Sequence, residues 1–176
     1  MTTGVRGVGV DIVDLGAFAA SLAEPGTRLT RAFSATERRQ CRERAESRGA
    51  RPGEATVSSS SGASGASAPG TSGPAPARRE DPLARHLAAR WAAKEAVVKA
   101  WSAALYGEPP PIAPDLLRWS EIETVCDNWG RPSVRLGGEV ARQVAATIGE
   151  LARWNVSLSH DGGSAIAFVV LEGPGG

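Results

Sequence analysis

The chain has 176 residues, 41% of them apolar, which suits one domain with its own core. Its 20 basic and 19 acidic residues nearly cancel, which excludes the broad cationic surface of a nucleic-acid or membrane-surface protein. Two cysteines, Cys41 and Cys126, are too few for a disulfide framework, the first residues lack an apolar leader, and no apolar run could span a bilayer. The expectation is a soluble cytoplasmic protein.

Taken in chain order, Gly4 to Val13 alternates as a strand, with Val8, Val10 and Ile12 on one face and Gly7, Gly9, Asp11 and Val13 on the other. Asp14 is placed to cap a short helix carrying Phe18 and Leu22 on one side. Ser34-Ala35-Thr36-Glu37 has the form of a capping box and opens a helix toward Arg44. From Ala55 to Ala77 almost every residue is Ala, Gly, Ser, Pro or Thr. Such a segment has too little apolar surface to offset its ordering entropy, so residues 46–80 are expected to form a disordered insertion within one domain spanning 1–176.

The strongest predicted helix runs from Pro82 to Tyr106, roughly 37 Å. Asp81 and Pro82 suit its start, and Gly107 with the prolines at 109–111 suits its end. Leu87, Trp91, Val98, Trp101 and Leu105 form its apolar stripe. The last third reads as antiparallel sheet with one helix striped by Val140, Val144 and Ile148. One hairpin is expected around Asp127–Pro132 and a tighter one at Asp161-Gly162-Gly163. Strands, then helices, then strands argue for an α+β fold, an antiparallel sheet packed with a long central helix.

Asp11 is a carboxylate on a strand otherwise made of apolar residues and glycine, and the glycines on its face leave room for a ligand. Glu95 and Lys99 are spaced as an ordinary i,i+4 surface pair. Lys94 lies near the middle of the apolar stripe, where a lysine must snorkel out or meet an anion. Asp11 and Glu95 together suit magnesium, which takes one or two carboxylates, substrate phosphates and waters. The two histidines, His86 and His160, lack zinc-ligand spacing. In Ser157-Leu158-Ser159-His160-Asp161 the serines and Asp161 share a face opposite His160, so this run is not a catalytic triad.

Four segments resemble one family, the holo-acyl-carrier-protein synthases of the 4'-phosphopantetheinyl transferase superfamily, short trimeric type. They are Gly9-Val10-Asp11-Ile12-Val13-Asp14-Leu15, then Phe33-Ser34-Ala35-Thr36-Glu37 followed by Cys41, then Arg90-Trp91-Ala92-Ala93-Lys94-Glu95-Ala96-Val97-Val98-Lys99-Ala100, and Ser157-Leu158-Ser159-His160-Asp161. The third is the most specific. The resemblance implies transfer of the 4'-phosphopantetheine arm of coenzyme A to a serine of an apo acyl carrier protein, releasing 3',5'-ADP. It implies Asp11 and Glu95 as magnesium ligands, Lys99 on the coenzyme phosphates with Lys94 beside it, and Arg131, Pro132, Ser159 and His160 near the nucleotide. It also implies a homotrimer with sites between subunits, which would leave an edge of the long helix, including Lys94, lining a cleft roofed by a neighbour. The serine proton has several candidate acceptors: a metal-bound water, Asp11 through water, or Asp161. Many members carry an arginine three residues after the acidic residue of the first segment, where it grips the carrier; here that position is Ala17, with Arg28, Arg31, Arg38 and Arg39 as candidate substitutes. A non-catalytic protein that keeps the fold to hold coenzyme A or a synthase subunit is the alternative.

Overall fold

The computed structural model describes residues 3–49 and 81–174. Strand β1 (Thr3–Asp14) leads into helix α1 (Leu15–Ala23), a 3-10 turn at Leu29–Ala32 and helix α2 (Ala35–Gly49). Helix α3 (Pro82–Ala104) follows, then a 3-10 turn at Trp119–Glu121, strands β2 (Ile122–Cys126) and β3 (Pro132–Leu136), helix α4 (Gly138–Thr147), and strands β4 (Arg153–Asp161) and β5 (Ser164–Pro174). Residues 46–49, read above as the start of the insertion, still belong to α2. The remainder of that insertion, 50–80, lies outside the described residues. No helix among the described residues is long and apolar enough to cross a membrane.

The local signals act where the sequence puts them. Asp14 accepts from the Ala17 N–H at 2.7 Å and caps α1; Asp81 accepts from the Leu83 N–H at 2.9 Å and caps α3. The Ser34 hydroxyl accepts from the Glu37 N–H while Glu37 accepts from the Ser34 N–H, a reciprocal capping box. Asp161 pairs with Ser164 across Gly162 and Gly163, both at positive φ, as a two-residue hairpin turn requires.

The main sheet is antiparallel with order β1-β5-β4, and β2-β3 form a separate hairpin. Helix α3 packs on the inner face of the main sheet and is enclosed on most sides. Its tightest packing does not follow the large-residue stripe read from the sequence. Ala92, Ala93, Ala96 and Ala100 are fully buried, whereas Trp91 and Val98 are only half-buried. Alanine scores weakly in a hydrophobic pattern, yet its small side chain is what lets a strand approach the helix backbone. Val140, Val144 and Ile148 of α4 close the far side of the same core.

Candidate active site

The inner face of β1 presents Gly7, Gly9 and Asp11 in succession to α3. A Cβ on Gly7 would lie 2.0 Å from the Ala100 carbonyl oxygen, and one on Gly9 2.0 Å from that of Ala96. The space at these glycines is therefore filled by the helix backbone, not held open for a ligand as the sequence alone suggested. Two strand residues advance about 6.8 Å and one helical turn about 5.4 Å. Strand and helix thus keep step, running in opposite directions: Gly7 meets Ala100, Gly9 meets Ala96, and Asp11 comes next on that face, within reach of the Lys99 side chain.

Asp11 is 8% exposed and its Oδ1 accepts from Lys99 Nζ at 2.7 Å. The same ammonium donates to the Val10 carbonyl at 3.1 Å. The hydrogen bond to Asp11 raises the Lys99 pKa. Asp11 Oδ2 is buried with no partner. Burial, and then the neighbouring Asp11, push the Glu95 carboxyl up to about 7, only partly offset by Lys99. Two carboxylates, one lysine and an unused buried oxygen form a site that lacks positive charge. Among the described residues no group of three or more His, Cys, Asp or Glu side chains gathers in one place. The donor set is therefore two hard oxygen ligands with the remaining positions open, which fits a magnesium ion completed by waters and phosphate oxygens and does not fit a closed zinc centre.

Lys94 departs from its expected place at a cleft. Both Lys94 and Glu37 are 0% exposed, and their ion pair measures 2.8 Å. The ammonium also donates to the carbonyls of Trp119, at 3.1 Å, and Ile122, so its three N–H groups meet three acceptors. Glu37 in turn accepts from the Ser34 and Thr124 backbone N–H groups. Burial pushes the lysine pKa down and Glu37 pushes it back up. In this arrangement Lys94 has no donor left for a coenzyme phosphate. Nothing in the local sequence pairs it with Glu37, because that partner lies 57 residues upstream.

The other expected nucleotide-site residues divide. Pro132, Ser159 and His160 line one cavity of about 270 Å³, together with Arg44 and Arg90. Arg90 is 2% exposed, and among the described residues its guanidinium has the Cys126 sulfur at 3.3 Å and the His86 carbonyl at 3.5 Å as partners, with Nε unpaired. An enclosed cation facing a cavity, with no carboxylate on it among the described residues, was legible in the sequence only as the first letter of the third motif. Arg131 is not among the lining residues, although its neighbours Gly130 and Pro132 are. It is exposed, donates to Asp127 Oδ2 at 2.6 Å and stacks over Trp129. Asp161 is also apart from the acidic pair. Asp11 shares its row with Ala167 and Leu158, whereas Asp161 lies three rows further, roughly 10 Å along the strands, on the opposite sheet face. It lines a neighbouring cavity of about 220 Å³ with Arg85 and His160.

The family model of the 4'-phosphopantetheinyl transferase superfamily matches residues 66–169. A holo-acyl-carrier-protein synthase of Corynebacterium glutamicum is 39% identical over 164 residues, covering 93% of this chain and 96% of the relative. That of Bifidobacterium animalis subsp. lactis is 41% identical over 173 residues, covering 94% and 97%. Among solved structures, the Chronobacterium ammoniagenes ACPS–CoA complex superposes with a TM-score of 0.72 at 35% identity over 99% of each chain. The acyl carrier protein synthase of Mycobacterium tuberculosis does so with a TM-score of 0.61 at 32% identity over 97% of this chain and all of that one. These similarities extend over nearly the whole length and include an α+β fold of the same kind, so this chain belongs to the holo-acyl-carrier-protein synthases of the 4'-phosphopantetheinyl transferase superfamily.

Proposed function

We propose that the chain transfers the 4'-phosphopantetheine arm of coenzyme A to a serine of an apo acyl carrier protein, with Asp11 and Glu95 holding magnesium. The observation that carries this reading is the acidic pair itself. Asp11 Oδ2 is buried without a partner among the described residues, and the Glu95 carboxyl is raised to about 7, first by burial and then by the neighbouring Asp11. In the reaction the serine oxygen forms a bond to the phosphorus bearing the pantetheine arm. The bond to the oxygen of 3',5'-ADP breaks, and that oxygen takes the electron pair. Magnesium supplies neutralisation of the phosphate charge as it shifts to the leaving group. Lys99, held between Asp11 and the Val10 carbonyl, adds a second positive charge at the mouth of the site. The serine proton leaves through water to Asp11, whose Oδ2 has no hydrogen-bond partner among the described residues.

Arg90 and Arg44, with His160 beside them, are our assignment for the 3'-phosphate of the coenzyme nucleotide, because the cavity holds a buried guanidinium with no carboxylate partner among the described residues. Lys94 and Arg131 are given no part in it. We place the reaction in the cytosol, in keeping with two free cysteines.

The same reading includes a homotrimer. Its support is the outer sheet face and not α3. Val8 pairs with Val170, Val10 with Phe168 and Ile12 with Ile166. Val8, Val10, Ile12 and Phe168 are exposed, Ile12 by 65%. An apolar face of this kind marks an interface, and copies of one chain closing about an axis would cover it. Sedimentation of an Ile12→Glu/Phe168→Glu variant is expected to show monomers with little transfer; a fully active monomer would overturn the trimer.

The function is tested by incubating the protein with apo carrier, coenzyme A and magnesium and measuring the carrier's intact mass. A gain of one phosphopantetheine on the serine is expected, and a panel of fatty-acid and polyketide carriers then ranks the substrates. Coenzyme binding without any mass gain on any carrier would favour a non-catalytic binding protein.

A further inference from the structure

We infer that Glu37 and Lys94 are positioning residues for the acidic site: their buried ion pair sets the rotation of α3 about its axis and so holds Glu95 against Asp11. The inference rests on the reading of Asp11 and Glu95 as the cation site.

Three observations support it. The contact between β1 and α3 is smooth, glycine against alanine at Gly7, Gly9, Ala96 and Ala100. Such a surface fixes how close the two elements lie but has few ridges to fix how the helix is turned. A rotation of about 20° moves atoms about 5–6 Å from the helix axis by about 2 Å, enough to separate two carboxylates that must share one cation. Secondly, Lys94 is next to Glu95 in the helix, so any turn of the axis moves both together. Its ammonium is held at three points from outside α3, by Glu37 of α2, by Trp119 and by Ile122 at the start of β2. Thirdly, the holder is itself held. Glu37 receives N–H groups from Ser34 and Thr124, which ties α2 to β2 before either grips the helix. A methionine or leucine at position 94 would fill the same space without defining a direction. A three-donor ammonium among three fixed acceptors defines one.

The test uses the full chain with Glu37→Gln and Lys94→Met together, which replaces the pair with neutral side chains of similar size and strands no charge. Manganese alone is titrated in the absence of coenzyme, with bound metal read by electron paramagnetic resonance, and kcat and coenzyme KM are measured separately. The folded double variant is expected to bind manganese about 10-fold more weakly and to lose about 100-fold in kcat, the scale of a 1 Å misplacement, with coenzyme KM little changed. Raising the metal concentration should recover part of the lost rate. A folded double variant with parental manganese affinity and kcat, differing only in thermal midpoint, would show a purely structural pair and overturn the inference. Should the double variant not fold, Glu37→Asp, which keeps the charge and shortens the holder, is read in the same way; a several-fold loss of manganese affinity is expected, and parental affinity in that folded variant would also overturn it. If the parent chain bound no manganese and modified no carrier, the reading of the cation site would fail, and the inference with it.

Discussion

Two charged clusters share adjacent turns of α3, and they are built to opposite rules. At Lys94 every donor meets an acceptor, both partners are fully enclosed, and nothing remains to bind. At Asp11 the carboxylate is half used, its neighbour Glu95 is a carboxyl raised to about 7, and Lys99 stands partly in solvent. The first cluster is a finished structure and the second an unfinished one. A lysine–glutamate pair in this helix is thus either cement or site, and what decides is whether the polar atoms around it are already satisfied.

The contrast is broken most sharply by removing the acids. Asp11→Ala and Glu95→Ala should each reduce carrier modification by at least about 10³-fold, measured by intact mass, with circular dichroism unchanged. Excess magnesium should restore neither. Near-parental rates from either folded variant would remove the cluster from the chemistry. On the closed side, Lys94→Ala leaves Glu37 charged and unpaired in the core, which should cost about 3–5 kcal/mol in a denaturant melt. Lys99→Ala should cost less in that melt, because its ammonium is half-exposed even though Asp11 is nearly buried, while transfer falls by about 10–100-fold. If the two lysines exchanged these roles, the distinction between the clusters would be lost.

Smaller effects sharpen the same picture. Gly9→Ala forces a methyl group against the Ala96 carbonyl and should cost about 1–3 kcal/mol. It should lower transfer by more than its stability loss accounts for, since Asp11 is two residues along the same strand. The smallest expected effect is a pH dependence. The Glu95 carboxyl is raised from 4.5 to about 7, so the folded, metal-free protein binds a proton there that the unfolded chain has lost. Its contribution to stability is complete below about 4.5 and disappears as pH rises through about 7. Metal-free Glu95→Gln should therefore melt slightly above the parent at pH 8 and show no such advantage at pH 4. Protons compete with metal at the same carboxyl, so the parent's manganese affinity should fall as pH drops below about 7.

Much of this protein is legible without coordinates because the responsible interactions are local. The caps at Asp14 and Asp81, the capping box of Ser34 and Glu37, and the Gly162-Gly163 turn each depend on residues within a few positions of one another. The strand alternation that sends Asp11 inward and Val10 outward is equally local. Helix spacing likewise predicts that Glu95 and Lys99 share a face, and the third motif singles them out. What only the tertiary structure decided are relations between distant segments. Lys94 is cement because Glu37, Trp119 and Ile122 reach it from three other elements, whereas its position on an apolar stripe left open whether it snorkels out or meets an anion. Gly7 and Gly9 admit a helix backbone and not a ligand, a choice invisible from the strand alone. Arg90 faces a cavity with no carboxylate among its described lining residues, Arg131 is tied to Asp127, and Asp161 lies on the far face from Asp11. The sequence supplies each side chain's chemistry and its local direction; whether that chemistry is spent or left available depends on which partners the fold carries to it.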